Sequence, residues 1–131
     1  MRTKFAIAVL LAVVAGLFSS APASSVPVNE ASTDVGLMSA GCGTTAPDLD
    51  TVKENVSDPA KSAANQRTGS STSCVSLGVL QLTDNADYYC YTWESGSSYS
   101  WTYLRNLRTG VKGWVRDDLL KDNGSYRHCG F

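Results

Sequence analysis

Nine tyrosines and tryptophans fall between Tyr88 and Tyr126, and they are the side chains of this sequence best suited to hold a ligand. A domain this small cannot bury all nine, and rings with an apolar face and a polar edge are favoured in binding grooves. Strand alternation would put Tyr89, Tyr91 and Trp93 on one face and Tyr88, Cys90 and Thr92 on the other. Trp101 and Tyr103 form a second same-face pair. The candidate ligand-binding set is therefore Tyr91, Trp93, Trp101 and Tyr103, whereas Trp114, between Gly113 and Val115, is expected in the core.

The residues that do covalent or metal chemistry are not arranged for it. Nucleophilic catalysis needs a base set against Ser or Cys; the single histidine, His128, lies three residues before the C-terminus beside Cys129. Cysteine spacings of 32, 16 and 39 do not supply the close ligand pairs that zinc takes. Asp117 and Asp118 are adjacent, so on a strand they would point to opposite faces; they read as solvated turn charges. The glycines are scattered at turns and build no phosphate-cradling loop. The expectation is a non-enzymatic protein without metal or cofactor.

The cysteines are better explained by export. Arg2 and Lys4 precede an uncharged apolar run of 14 residues, 5–18, and Ala21-Pro22-Ala23 supplies the small residues that a signal peptidase reads. Fourteen residues are too few to span a bilayer of about 30 Å as a helix. Cleavage after Ala23 would leave 108 residues with nine basic and twelve acidic side chains. Four cysteines in a short exported chain predict disulfides. Ser39-Ala40-Gly41-Cys42 resembles a lipidation box, but Cys42 lies 24 residues beyond the apolar run and Ser39 stands where a Leu belongs. The expected product is secreted, with no membrane attachment after cleavage. The near-balanced charge, −1 overall, gives no basic face for nucleic acid.

The rest of the chain, beyond the leader, must position these side chains. Residues 24–64 are rich in Ala, Ser, Thr, Asp, Pro and Gly and contain no aromatic ring, so they have little with which to offset ordering entropy. They read as a flexible arm with a short helix at 48–57, where Leu49, Val52 and Val56 share helical spacing and Thr51 and Glu54 fit a capping box. Asn55 and Asn123 head sequons that matter only in a glycosylating host. From residue 65 the pattern changes. Runs 76–82, 86–93, 99–107 and 111–115 are rich in β-formers and are separated by Gly, Ser, Asn and Asp turns. Short strands at this interval predict a small antiparallel barrel or sandwich over 65–131. At about 67 residues a single core is marginal, so disulfides are the expected supplement.

Residues 67–73 (RTGSSTS) resemble the R-x-G-P-S-T-S opening of bacterial SH3 (SH3b) domains, and 75–82, with Leu77-Gly78 inside, is similar to the next strand of that family. Residues 101–120 (WTYLRNLRTGVKGWVRDDLL) resemble the closing half: a Trp-led strand, a Thr-Gly turn, Gly-Trp-Val and a paired apolar ending. The resemblance spans roughly 65–120 and implies an all-β, five-stranded SH3-like barrel, which the disulfides expected from the cysteines would staple. Gly69, Gly78, Gly110 and Gly113 would stand at its bends or turns. It also implies a binding module that takes a cell-wall peptide or glycan, or a protein peptide, through an aromatic groove, with Trp101 at the ligand-contacting position. The sequence departs from the family at Ser70, where a Pro is usual. Arg116 and Leu119 stand where the polyproline-binding version has Pro and Tyr. The alternative is a secreted inhibitor that presents residues 94–99 (ESGSSY) as a rigid loop to an extracellular enzyme.

Four cysteines allow three connectivities. In the barrel reading Cys74 and Cys90 are joined by one strand, a turn and a return, which favours pairing Cys74 with Cys90 and Cys42 with Cys129. The alternative pairs Cys42 with Cys74 and Cys90 with Cys129.

Overall fold

The computed structural model describes residues 39–131. The leader at 1–23 and the first part of the expected arm, 24–38, lie outside the described residues. The chain forms β1 (Val56–Ser57), β2 (Ala64–Arg67), β3 (Ser76–Leu80), β4 (Asn85–Trp93), β5 (Ser100–Asn106) and β6 (Lys112–Arg116), with a 3-10 turn after them at Asp117–Leu119. All pairings between strands are antiparallel, in one sheet of order β1-β4-β5-β6-β2-β3. The fold is all-β, as expected, but the five-stranded closed barrel is not formed. Six strands form among the described residues, and the end strands β1 and β3 do not pair with each other. Two local facts explain the difference. Residues 56–57, within the expected arm, add β1 to the edge of β4. At the other end β3 folds back on β2 rather than running on to β4.

Both faces of the sheet are covered. On the first, Ala60, Ala64, Leu80, Ala86, Tyr88, Leu104, Val115 and Leu120 form a continuous core, with Val56 and Leu119 packed against it. On the second, Ala40, Tyr89, Cys90, Trp101, Tyr103, Trp114 and Cys129 pack together, flanked by Ala46 and Phe131. This second core is aromatic: the Tyr89 and Tyr103 rings meet edge-on at 5.7 Å, and Tyr103 and Trp114 lie 5.1 Å apart.

Residues 39–64, expected to belong to a mobile arm, are packed on the sheet. Without aromatic rings of their own, residues 40–46 cover the aromatic core while Val56, Ala60 and Ala64 pack in the first core, so the burial that offsets their ordering comes largely from partner surfaces. Trp114 Nε1 donates to the Thr44 carbonyl at 2.8 Å, and Gly43 N and Ser70 N tie this segment to the β2–β3 loop. Gly69 is needed where the two segments cross. A Cβ there would stand 2.8 Å from the Ala40 carbonyl oxygen and closer still to Gly41. Of the four glycines expected at bends only Gly110 has a positive φ, +76°, at the β5–β6 turn.

The expected helix at 48–57 is replaced by turns and β1. Asp50 is fully buried, and its carboxylate accepts from Val52 N and Lys53 N, each at 3.3 Å. A side chain that caps the backbone locally competes with a helix, and Asn55 then takes a φ of +55°. Val52 is left 75% exposed, so the apolar spacing that suggested a helix has no surface to serve.

The cysteine pairs are Cys42–Cys74 and Cys90–Cys129, not Cys74–Cys90 and Cys42–Cys129. The expected pairing required β3 and β4 to be neighbours, but they stand at different places in the sheet. Cys74 instead lies in the β2–β3 loop against residues 40–43. Cys90 lies in β4, alongside which the C-terminal tail runs: Tyr91 N donates to Arg127 O at 2.6 Å and Cys129 N to Tyr91 O at 2.9 Å.

A buried polar knot fixes the β3–β4 and β5–β6 turns. Asp84 accepts from Gln81 N at 2.8 Å, Asn106 Nδ2 at 2.7 Å and the Arg108 guanidinium. The Arg108 hydrogen bonds, helped by those of Gln81 and Asn106, outweigh burial and hold the Asp84 carboxyl at about 2 against an ordinary 3.8. A depressed carboxyl pKa gives stability that is complete above the unfolded value and is lost as pH falls through the folded one. Asp84→Asn is therefore expected to lower the melting temperature at pH 6, with the deficit shrinking toward pH 2. A deficit of equal size at both ends, monitored by circular dichroism, would contradict this.

Candidate functional site

The expected ligand set divides between the two faces of the sheet, and a bulge in β4 does the dividing. The pairing of β4 with β5 shifts between Tyr88 and Cys90, which leaves Tyr89 as the extra residue. Alternation therefore resets. Cys90 pairs with Tyr103 and Thr92 with Trp101, while Tyr91 pairs with Thr102 and Trp93 with Ser100. Directly paired residues project to the same face. Tyr89 thus joins the aromatic core with Cys90, whereas Tyr91 and Trp93 stand with Ser100 and Thr102 on the opposite face.

Trp101 and Tyr103 are core residues, 2% and 5% exposed. Trp101 Nε1 donates to Glu94 Oε2 at 3.4 Å, and Tyr103 packs between Tyr89 and Trp114. Trp101 has no exposed ring face, whereas the small accessible part of Tyr103 lines a separate concavity of about 110 Å³ with Thr44, Arg67, Leu77 and Lys112, on the face away from Tyr91 and Trp93. Trp114, as expected, is fully buried.

Tyr91 and Trp93 are half-buried and meet edge-on, with ring centroids 6.2 Å apart and planes at 84°. They line a concavity of about 290 Å³ together with Ser100, Asp117, Asn123, Ser125 and Tyr126. β4 supplies the two rings and β5 supplies Ser100; the 3-10 turn supplies Asp117, and the C-terminal tail supplies the remaining three. Tyr126 is 71% exposed and His128 packs edge-on against Tyr91 at 5.2 Å. The tail is held in place by Asp50, which accepts from Ser125 Oγ and, at 3.1 Å, from Tyr126 N.

Asp117 lies at the floor. It is 6% exposed rather than solvated, while Asp118 turns outward to Arg116 at 2.6 Å. Asp117 Oδ1 accepts from Thr102 Oγ1 at 2.6 Å, and Thr102 Oγ1 accepts from Ser125 N at 2.9 Å. Gly124 fits this crowding: its φ is +79°, and a Cβ would collide with Thr102 Oγ1 and the Asp117 carboxyl. Burial pushes the Asp117 carboxyl up to about 6, against hydrogen bonds from Ser100 and Thr102 and the charge of Lys53.

Lys53 is buried behind the Tyr126 ring, 3.6 Å from its centroid, and donates to Asp122 and to the Gly124 carbonyl. Asp122 also accepts from Tyr88 O–H at 3.0 Å, and burial raises the pKa of that phenol. Sequence reasoning missed Asp117, Tyr126, Ser125 and Asn123. The tail is polar and short, and nothing in its composition marks it as part of a site.

A carboxyl with a raised pKa costs the fold stability once it ionises. The penalty is absent well below pH 3.8 and grows until pH exceeds about 6, reaching on the order of 3 kcal/mol. Asp117→Asn should therefore be more stable than the wild type at pH 7.5 by that amount and keep only a small part of the advantage at pH 4. Urea unfolding at the two values checks it, and an advantage independent of pH would contradict the assignment.

No family model, curated protein or solved structure matches the chain. Among the described residues no group of three His, Cys, Asp or Glu side chains is placed to hold a metal.

Proposed function

We propose that this chain is a secreted, non-enzymatic binding module of the SH3b type that holds a cell-wall peptide or glycan, or a protein peptide, in the Tyr91–Trp93–Tyr126 cleft. The observation that carries the reading is the cleft itself: three accessible or half-buried rings over one buried carboxyl. Apolar walls with a few convergent polar groups are the ordinary make-up of a ligand site. The closing-half resemblance supports the same reading. Trp101 sits near the start of β5, Thr109-Gly110 forms the turn, Gly113-Trp114-Val115 lies in β6, and Leu119 and Leu120 pack on the core. Two disulfides fit an oxidising, extracellular setting. No helix among the described residues is long and apolar enough to cross a membrane.

The experiment is retention of the secreted protein on purified cell-wall material, with soluble muropeptides as competitors. Retention that competitors release supports the module. Absence of retention, with capture of one extracellular enzyme instead, favours the inhibitor reading. That second reading rests on the 94–99 loop, which is internally tied: Glu94 N donates to Tyr99 O at 2.9 Å and Ser97 Oγ to Glu94 Oε2 at 3.1 Å. N-terminal sequencing of the secreted product should begin at Ser24; a retained 5–18 run would overturn the export reading.

A further inference from the structure

The cleft combines two features that favour one kind of ligand group. Three aromatic side chains, Tyr91, Trp93 and Tyr126, line it together with one buried acid, Asp117. Aromatic faces attract cations through their quadrupole, and desolvation strengthens the attraction. A carboxylate offers about four acceptor positions, so Asp117, held by the Ser100 and Thr102 hydroxyls, has capacity for a further donor. The protein already demonstrates the chemistry one layer deeper, where the Lys53 ammonium sits over the Tyr126 ring and is held by Asp122 and the Gly124 carbonyl.

Asp117 is the one carboxyl among the described residues that line the cleft. Asp117, Asp122 and Asp50 surround the floor and the tail behind it, and Lys53 is the cation set among them. On the 3-10 turn side Arg116 is tied to Asp118 and lies over the Tyr99 ring at 4.2 Å. On the tail side the titratable or charged groups are Lys121, Asp122, Tyr126, Arg127 and His128, of which Tyr126 lines the cleft and His128 packs against Tyr91. Tyr88, from β4, faces Asp122.

We propose that the cleft binds a primary alkylammonium group, of the kind borne by lysine and diamino-acid side chains, with the rings of Tyr91, Trp93 and Tyr126 around the methylene stem and Asp117 as the counter-ion. The assignment rests on the cleft being the ligand site and adds the chemical class it takes. A neutral amide end would lose the ion pair, and a quaternary ammonium would lose the hydrogen bond to Asp117.

The test is an NMR titration of the chain from Ser24 to Phe131 with Nα-acetyl-lysine N-methylamide, its Nε-acetylated neutral counterpart, and choline. The charged lysine probe should shift the signals of Tyr91, Trp93 and Tyr126 and bind at least about tenfold more tightly than the other two, as expected of a charge-assisted hydrogen bond. Asp117→Asn should remove that preference. Lowering the pH from 7.5 to 5 should weaken the charged probe about tenfold in the wild type, because most of the Asp117 population is then protonated, and leave the neutral probe unchanged. Equal binding of charged and neutral probes by the wild type would overturn the proposal without reference to any variant, as would tighter binding of choline. If cell-wall retention depends on Trp93 while the lysine probe produces no shifts, the module reading stands and the ammonium assignment falls. If both fail, both fall.

Discussion

Replacing both members of the Cys90–Cys129 bridge, Cys90→Ala with Cys129→Ala, should lower the unfolding free energy by about 4 kcal/mol. The bridge closes a ring of sequence separation 39, and the chain-entropy argument assigns that much to the lost constraint on the unfolded chain. The bridge also anchors the tail that carries Ser125 and Tyr126 to the strand that carries Tyr91 and Trp93. The variant should therefore lose the cleft along with stability, as read by urea unfolding and by the Tyr126 ring signals. A loss below about 1 kcal/mol would show that the tail is held by its backbone pairing to Tyr91 and by Asp50 without help from the bridge.

Trp101→Ala and Trp93→Ala should separate folding from binding. Trp101 is among the largest fully buried side chains and touches the Cys90–Cys129 region of the aromatic core, so truncating it should cost about 3–5 kcal/mol. Trp93 is half-buried and its ring meets Tyr91 edge-on, so its truncation should cost about 1 kcal/mol and act on ligand binding instead. Thermal melts of the two variants decide the matter. A Trp101→Ala protein that melts with the wild type would return Trp101 to the surface, where the family resemblance had put it.

What could be read from the sequence was the part set by local pattern. Alternation of β-formers with Gly, Ser, Asn and Asp turns places β3 to β6 within a few residues of where they form, and Gly113-Trp114-Val115 signals a buried Trp between close-packed neighbours. What could not be read was set by single residues acting at a distance. One bulged residue, Tyr89, reverses the faces of Tyr91 and Trp93 relative to Tyr89 itself, and a period-2 argument has no means of detecting it. The disulfides depend on sheet order, which pairs β3 with β2 and so removes Cys74 from Cys90. The 39–64 segment orders because residues 40–46 borrow an aromatic surface and Val56, Ala60 and Ala64 join the first core, which its own composition does not reveal. Asp117 looked like a solvated turn charge because its burial comes from Thr102 and a tail that returns to β4 at Tyr91.

In the proposed function the ligand lies on the face bearing Tyr91, Trp93, Tyr126 and Asp117. The most direct measurement is chemical-shift mapping of the secreted chain with a soluble muropeptide, on the wild type and on Trp93→Ala. Shifts concentrated on those four residues and abolished in Trp93→Ala are the predicted result. Shifts confined to the opposite face, or unchanged in the variant, would contradict the account.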